Sequence, residues 1–146
     1  MNIVQFQPDH AREILNGEMN IGAPANPKDF LKFVDEMVVN GMSFSGIVNG
    51  EVIGSGGIVP VYKHMAEVWL LLSGKVYKNR LTTIRNILIN MDKMQKKHQF
   101  VRLQAAVKAS WPEAVRFASW MGFENEGLMR KFGPDHEDYY RFAKVI

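Results

Sequence analysis

The stretch Ser110–Ala143, SWPEAVRFASWMGFENEGLMRKFGPDHEDYYRFA, reads as one helix, one abrupt stop and a long hairpin. Ser110 followed three residues on by Glu113 has the capping-box pattern, and Pro112 falls in the first turn, where its missing N–H leaves no bond unmade. Ala114, Phe117, Ala118 and Met121 recur at helical spacing, so this helix buries one face. Gly122 supplies the left-handed residue on which helices end. Beyond it, Phe123–Phe132 and Glu137–Val145 are expected as strands around the turn Gly133-Pro134-Asp135-His136.

Working outward, Phe100–Val107 is the strand that feeds this helix. Before it, a long helix from about Asn79 carries Ile84, Ile87, Leu88, Met91 and Met94 on one side. It closes on Lys96-Lys97-His98, cations that suit a helix C-terminus. Ala66–Ser73, AEVWLLLS, is nearly continuous in apolar residues, the pattern of a central strand covered on both faces. In the N-terminal half, Asn2–Gln7 is expected as a strand and Pro8–Met19 as a helix with Ala11, Ile14 and Leu15 inward. Asn20–Ala25 is expected as a loop. Asn26 then caps and Pro27 opens a second helix with the inward stripe Phe30, Phe33, Val34, Met37 and Val38, ended by Asn40-Gly41. Met42–Val48 and Glu51–Val59 flank Asn49-Gly50, a strong tight-hairpin signal. Gly54, Gly56 and Gly57 interrupt the second of these strands; no helix follows them, so they mark a bulge or twist rather than a phosphate loop. The order β-α-α-β-β-β-α-β-α-β-β predicts an α/β (α+β) chain with a mixed sheet of about seven strands and about four helices.

Composition narrows the classes. With 146 residues, 47% of them hydrophobic, the chain is long enough for one globular domain over 1–146 to bury a core without staples. It has no cysteine and four scattered histidines, so neither a disulfide framework nor a metal site is expected. No apolar run approaches the roughly 18 residues of a membrane span, and the start does not read as a signal peptide, so a cytoplasmic location is expected. The net charge of +3 is a mild bias compatible with an anionic small ligand. A nucleic-acid surface on Lys75–Arg85 and Lys93–His98 is not favoured, because aromatics are not interleaved with the basic residues.

Ala114, Phe117 and Gly122-Phe123 spell A-x-x-F-x-x-x-x-G-F, and Glu126-Gly127 with Arg130 spells E-G-x-x-R. These residues resemble the C-terminal signature of the GCN5-related N-acetyltransferases (GNAT), most of all the branch that acetylates ribosomal-protein N-termini. Any helix-to-strand corner favours Gly-Phe; here several spaced matches agree. The resemblance implies the acetyltransferase fold over essentially the whole chain, acetyl-CoA as co-substrate and an amine as acceptor. It also implies that main-chain groups of Leu71, Leu72 and Ser73 position the acyl arm, and that the helix start at Lys78, Asn79, Arg80, Leu81, Thr82 and Thr83 holds the pyrophosphate. The related phosphate loop reads R/Q-x-x-G-x-G/A. Laid on Tyr77–Leu88, its basic position falls on Lys78, but its two small positions fall on Leu81 and Thr83, a departure that puts the phosphate contact in question. Lys75, Lys78, Arg80 and Arg85 crowd the positive end of a helix dipole, a conflict that either a bound anion or solvent screening relieves.

By the same resemblance Glu67, eleven residues before Lys78, is the candidate base that deprotonates the amine; a strand-end glutamate is also commonly just solvated. The tyrosine that many relatives use as general acid falls on Ala118, and the associated asparagine on Trp111, so Tyr139, or its neighbour Tyr140, is the candidate substitute. Two functions of different class follow: an acetyl-CoA-dependent N-acetyltransferase acting on a primary amine, or a catalytically inactive version of the fold used in binding or assembly. VWLLLSGK with its basic follow-on is weakly similar to acetyltransferase-like proteins of tailed phages, which would place such a factor in the host cytoplasm or virion. A homodimer or a protein partner is compatible with either. Asp135, Glu137 and Asp138 are suited to a cationic acceptor or simply to a turn; protein N-terminus, lysine, polyamine and antibiotic stay open.

Overall fold

The structure, a computed structural model, describes residues 1–17, 31–134 and 136–146. Seven strands form one mixed sheet: β1 (Asn2–Gln5), β2 (Ser43–Val48), β3 (Glu51–Tyr62), β4 (Met65–Leu72), β5 (Arg102–Lys108), β6 (Glu124–Met129) and β7 (Tyr139–Val145). Their order is β1-β2-β3-β4-β5-β7-β6, with β4 and β5 parallel and the other neighbours antiparallel. Helix α1 (Pro8–Asn16) covers one face; α2 (Arg80–His98) and α3 (Pro112–Trp120) belong to the other.

Local chemistry explains most boundaries. Asn49 and Gly50 both take positive φ (50° and 76°), the two-residue turn whose twist matches the strands it joins. Gly122, at φ 89°, ends α3: Phe123 N–H reaches Ala118 C=O and Gly122 N–H reaches Ser119 C=O, which satisfies two helix-end carbonyls. The capping box expected at Ser110 does not form. The helix starts one residue later with Trp111 as its N-cap, and Ser110 Oγ instead donates to Glu137 at 3.4 Å. Both terminal strands are shorter than expected: residues 130–134 and 136–138 belong to neither, and Lys131 N–H is held by Asp138 at 2.9 Å.

The described part of the expected second helix is also different. Residues 34–37 form a single 3-10 turn and Phe33 is 58% exposed, so the continuous inward stripe is broken; Val34 alone is fully buried. Met19, the loop Asn20–Ala25, Asn26, Pro27, Phe30 and the turn residue Asp135 lie outside the described residues. The expected loop at Gly74–Lys78 is a 3-10 turn, Gly74–Asn79, that runs straight into α2.

Buried apolar clusters lie on both faces of the sheet. On the α2/α3 face, Ile58, Ala66, Met91, Met94, Phe100, Leu103, Met121, Phe123 and Phe142 pack together; on the α1 face, Phe6, Ala11, Ile14, Val34, Val52 and Leu71 do. A fully buried side chain of this kind contributes about 1.5–3 kcal/mol. Gly57 is dictated by space: a Cβ there would sit 2.5 Å from Met42 C=O and 2.7 Å from Ser43 Cα, both main-chain atoms of β2 and its approach.

Candidate active site

Strands β4 and β5 pair over three positions only, Met65 with Arg102, Ala66 with Leu103 and Glu67 with Gln104. From Val68 onward they part. Ser73 N–H is bonded to Ile53 C=O, and alternation along an antiparallel pair then turns the N–H and C=O of Leu71 and Trp69 toward β3 as well. The main-chain groups of Val68, Leu70 and Leu72 consequently face the opening. Of the three residues expected to position an acyl arm, Leu72 is brought to the split; Leu71 is packed into the α1-side core, and Ser73 caps the 3-10 turn, its Oγ accepting from Lys75 N–H at 3.2 Å.

The opening leads into a cavity of about 400 Å³. Its wall is mainly apolar, from Leu70, Met91, Met94, Phe117 and Phe123, and reaches Gly46, Gly54 and Gly56 below α2. Among the described residues Thr83 Oγ1, on this wall, is buried without a hydrogen-bond partner, and Trp69 Nε1 is likewise unpartnered on the α1 face, where its ring packs against Phe6. Buried donors and acceptors are ordinarily paired, so the Thr83 hydroxyl points to a ligand that brings a partner.

Thr83 is thus the residue of the α2 start that turns inward, only 5% exposed. Leu81 does the opposite: it is 83% exposed, so the side chain at a position where relatives have glycine stands in solvent and does not fill the cleft. Lys78, Arg80 and Thr82 are exposed and Asn79 is the N-cap. Lys75 pairs with Glu51 at 2.6 Å, whereas Lys78, Arg80 and Arg85 make no ion pair among the described residues, which leaves a positive rim beside the cavity. The 3-10 turn ahead of α2 lends its carbonyls to the first N–H groups by i→i−3 bonds, beginning with Val76 to Ser73, so fewer donors stay free there than at a helix entered from an extended strand.

On the α1 side of the split, Glu67 lines the cavity with both oxygens engaged. Arg141 Nη1 donates to Oε1 at 2.7 Å and Gln104 Nε2 to Oε2 at 2.9 Å. Neither the arginine nor the glutamine was singled out from sequence; β7 brings Arg141 opposite Ala106, a pairing no local pattern reveals. Arg102 extends the network by bonding Gln104 at 3.0 Å and pairing bidentately with Glu126. That hydrogen bond to Arg102 holds the Glu126 carboxyl below the usual range and raises the Arg102 guanidinium. Tyr139 lines the same cavity, opposite Lys108 and against the Phe132 ring, 5.5 Å between centroids. It stands four β5 residues beyond Gln104, roughly 13 Å along the strand, so Glu67 and Tyr139 mark two ends of the opening rather than one point. Ala118 and Trp111 also line the wall, so α3 presents no phenol there.

Main-chain groups at the split, the orphaned Thr83 hydroxyl, the apolar channel and the cationic rim together fit a long ligand with a polar amide-bearing arm and an anionic end. Among the described residues no helix is long and apolar enough to cross a membrane, and no group of three or more His, Asp or Glu is placed to hold a metal.

No protein-family model matches the chain, and no curated protein matches it by sequence. Solved structures do match. Ard1 from Thermoplasma volcanium aligns over 99% of this chain and 97% of its own, with TM-score 0.75 at 14% identity. The ribosomal-protein-S18-alanine N-acetyltransferase from Escherichia coli covers 99% and 93%, TM-score 0.73 at 18% identity. A spermidine N-acetyltransferase mutant from Vibrio cholerae covers 99% and 95%, TM-score 0.69 at 13% identity. The fold is that of the GNAT acetyltransferases.

Proposed function

We propose that residues 1–146 act as one acyltransferase domain that transfers the acetyl group of acetyl-CoA to a primary amine. The observation that carries this is the parting of β4 and β5 after Glu67 and Gln104, directly over a cavity whose wall holds the unpartnered Thr83 hydroxyl. Leu81 points its side chain into solvent and not into the cleft, which supports an active protein over a retired fold.

When bound, acetyl-CoA supplies an activated acetyl thioester. Val68, Leu70 and Leu72 offer main-chain donors and acceptors to the acyl arm, while Thr83 Oγ1 and the Lys78 and Arg80 side chains serve its phosphate end. Glu67 receives the ammonium of the acceptor and takes its proton, held in place by Arg141 and Gln104 so that its remaining lone pairs face the opening. Tyr139, at the far end, is the candidate donor to a departing thiolate, reached through bridging water because the base and the leaving group meet at one carbon.

Titration calorimetry with acetyl-CoA tests the reading. Micromolar binding that weakens when Lys78 and Arg80 are both replaced by Ala supports it; no binding at millimolar ligand refutes it. In an acetylation assay Glu67→Gln is expected to lower turnover by about 10²-fold or more with acetyl-CoA affinity unchanged. Unchanged turnover removes Glu67 as the base.

A further inference from the structure

Glu126 and Gly127 stand where β6 slips its register against β7. Asn125 pairs with Phe142 and Gly127 with Arg141, so Glu126 is the extra residue of a β-bulge. Gly127 makes the bulge possible: it takes φ 138°, a conformation that favours glycine, and its N–H is accepted by Asn125 Oδ1 at 2.9 Å. A bulge re-aims the side chain it carries, and this one points across β7. Although β7 separates β6 from β5 in the sheet, both Glu126 carboxylate oxygens accept from the Arg102 guanidinium of β5.

Arg102 divides its donors. Nη1 and Nη2 serve Glu126, and Nε donates to Gln104 Oε1 at 3.0 Å. A guanidinium only donates, so the side of the Gln104 amide turned toward it must be the oxygen. The amide nitrogen is then left for Glu67, and Nε2 donates to Glu67 Oε2 at 2.9 Å. Were the amide reversed, its nitrogen would face the guanidinium and its oxygen the carboxylate, and neither contact would be a hydrogen bond. The Glu67 charge also acts on Arg102, so a guanidinium released from Glu126 would compete with the ammonium of the acceptor for that carboxylate.

We propose that Glu126 is a positioning residue for Glu67, acting through Arg102 to fix the Gln104 amide with its nitrogen toward the carboxylate that receives the acceptor amine. Gly127 serves the same end by holding the bulge. The proposal rests on the reading of Glu67 as the proton acceptor in acyl transfer. It gives the Arg102–Glu126 pair a purpose other than stability, to which a pair with both partners partly exposed adds little.

The test uses the whole chain and two readouts: the Gln104 side-chain amide signals in NMR of isotope-labelled protein, and acetylation of alaninamide or spermidine by acetyl-CoA, followed as released thiol. Glu126→Ala is expected to move the Gln104 amide signals toward those of exposed glutamines and to lower turnover about 5-fold, with the KM for acetyl-CoA and the thermal midpoint unchanged. Glu126→Gln still offers Arg102 an oxygen and is expected to recover most of that turnover, a rescue that a merely structural role does not produce. In a Gln104→Ala background, Glu126→Ala is expected to add no further loss, because its route to Glu67 is already gone. An undiminished further loss there overturns the route, and so does a Gln104 amide that does not respond to Glu126→Ala. Arg102→Lys, whose single nitrogen cannot hold both neighbours in this geometry, is expected to show the same loss as Glu126→Ala, and unchanged turnover in it overturns the proposal even if Glu126→Ala fails to fold. A loss in Glu67→Gln with none in Glu126→Ala overturns the positioning role and leaves Glu67 as the base. Turnover unchanged by Glu67→Gln, or native protein that acetylates neither amine, overturns both.

Discussion

The two ends of the β4–β5 seam are built from the same two strands and behave oppositely. At the closed end, Ala66 and Leu103 are buried, His64 C=O accepts from both Val101 and Arg102 N–H, and Ile146 N–H closes on Val101 C=O. At the open end, the main-chain groups of Val68, Leu70 and Leu72 have no strand to meet. The closed end is where the chain obtains stability from burial, and the open end is where it forgoes ladder hydrogen bonds and keeps room for a ligand. The same contrast separates the glycines of β3: Gly57 is fixed by β2 main chain, whereas Gly54 and Gly56 face the flexible tips of Leu72 and Leu70 at the cavity wall.

The comparison breaks most visibly at the closed end. Phe142→Ala removes a ring with no exposure beside Leu103 and Phe123, and is expected to lower stability by about 3–5 kcal/mol in chemical denaturation with no selective effect on acetyl-CoA binding. Gly57→Ala comes next. Its Cβ meets main chain that cannot move aside, so a loss near 3 kcal/mol is expected, while Gly56→Ala, opposed first by the Leu70 Cδ1 at 3.0 Å, is expected to cost less stability and to reduce ligand binding instead. Equal stability of the two variants would show that the contrast between the glycines is not real.

Smaller effects sharpen the open end. Arg141→Ala leaves Glu67 with Gln104 as its partner; because both charged groups are partly exposed, a stability loss of no more than about 1 kcal/mol is expected, set against a clear fall in turnover. The smallest concerns His10, whose pKa is lowered first by burial and only partly restored by Glu13 and Asp9. The unfolded chain then binds a proton more readily than the folded one, so the stability His10 contributes is complete above its ordinary value near 6.5 and is lost as pH falls toward the folded value. Thermal unfolding followed from pH 7.5 to 5 should show this slope, and His10→Asn should flatten it.

Much of the frame was legible beforehand because it rests on contacts between near neighbours. Gly122 ends a helix, Asn49-Gly50 reverses a strand, and AEVWLLLS is buried on both faces, each for reasons contained in a few residues. Ser110 misled for the same reason: its capping pattern is local, but Glu137, 27 residues away, took its hydroxyl. The second-helix stripe failed in part at Phe33, where periodicity alone did not ensure a partner surface.

The candidate site was legible only as residue types. Glu67, Tyr139 and the α2 start were named from sequence, but whether Leu81 obstructs the cleft or Thr83 turns into it depends on the angle at which a 3-10 turn delivers α2 to the sheet. The amino-acid sequence by itself determined the order of elements, their turns and caps, and the apolar faces to be buried, because those are set by propensity and spacing along the chain. Only the tertiary structure decided that Arg141 and Gln104 hold Glu67, that Arg102 joins Glu126 to Gln104, and that β4 leaves β5 after three pairs, because each requires strands far apart in sequence to meet in one register.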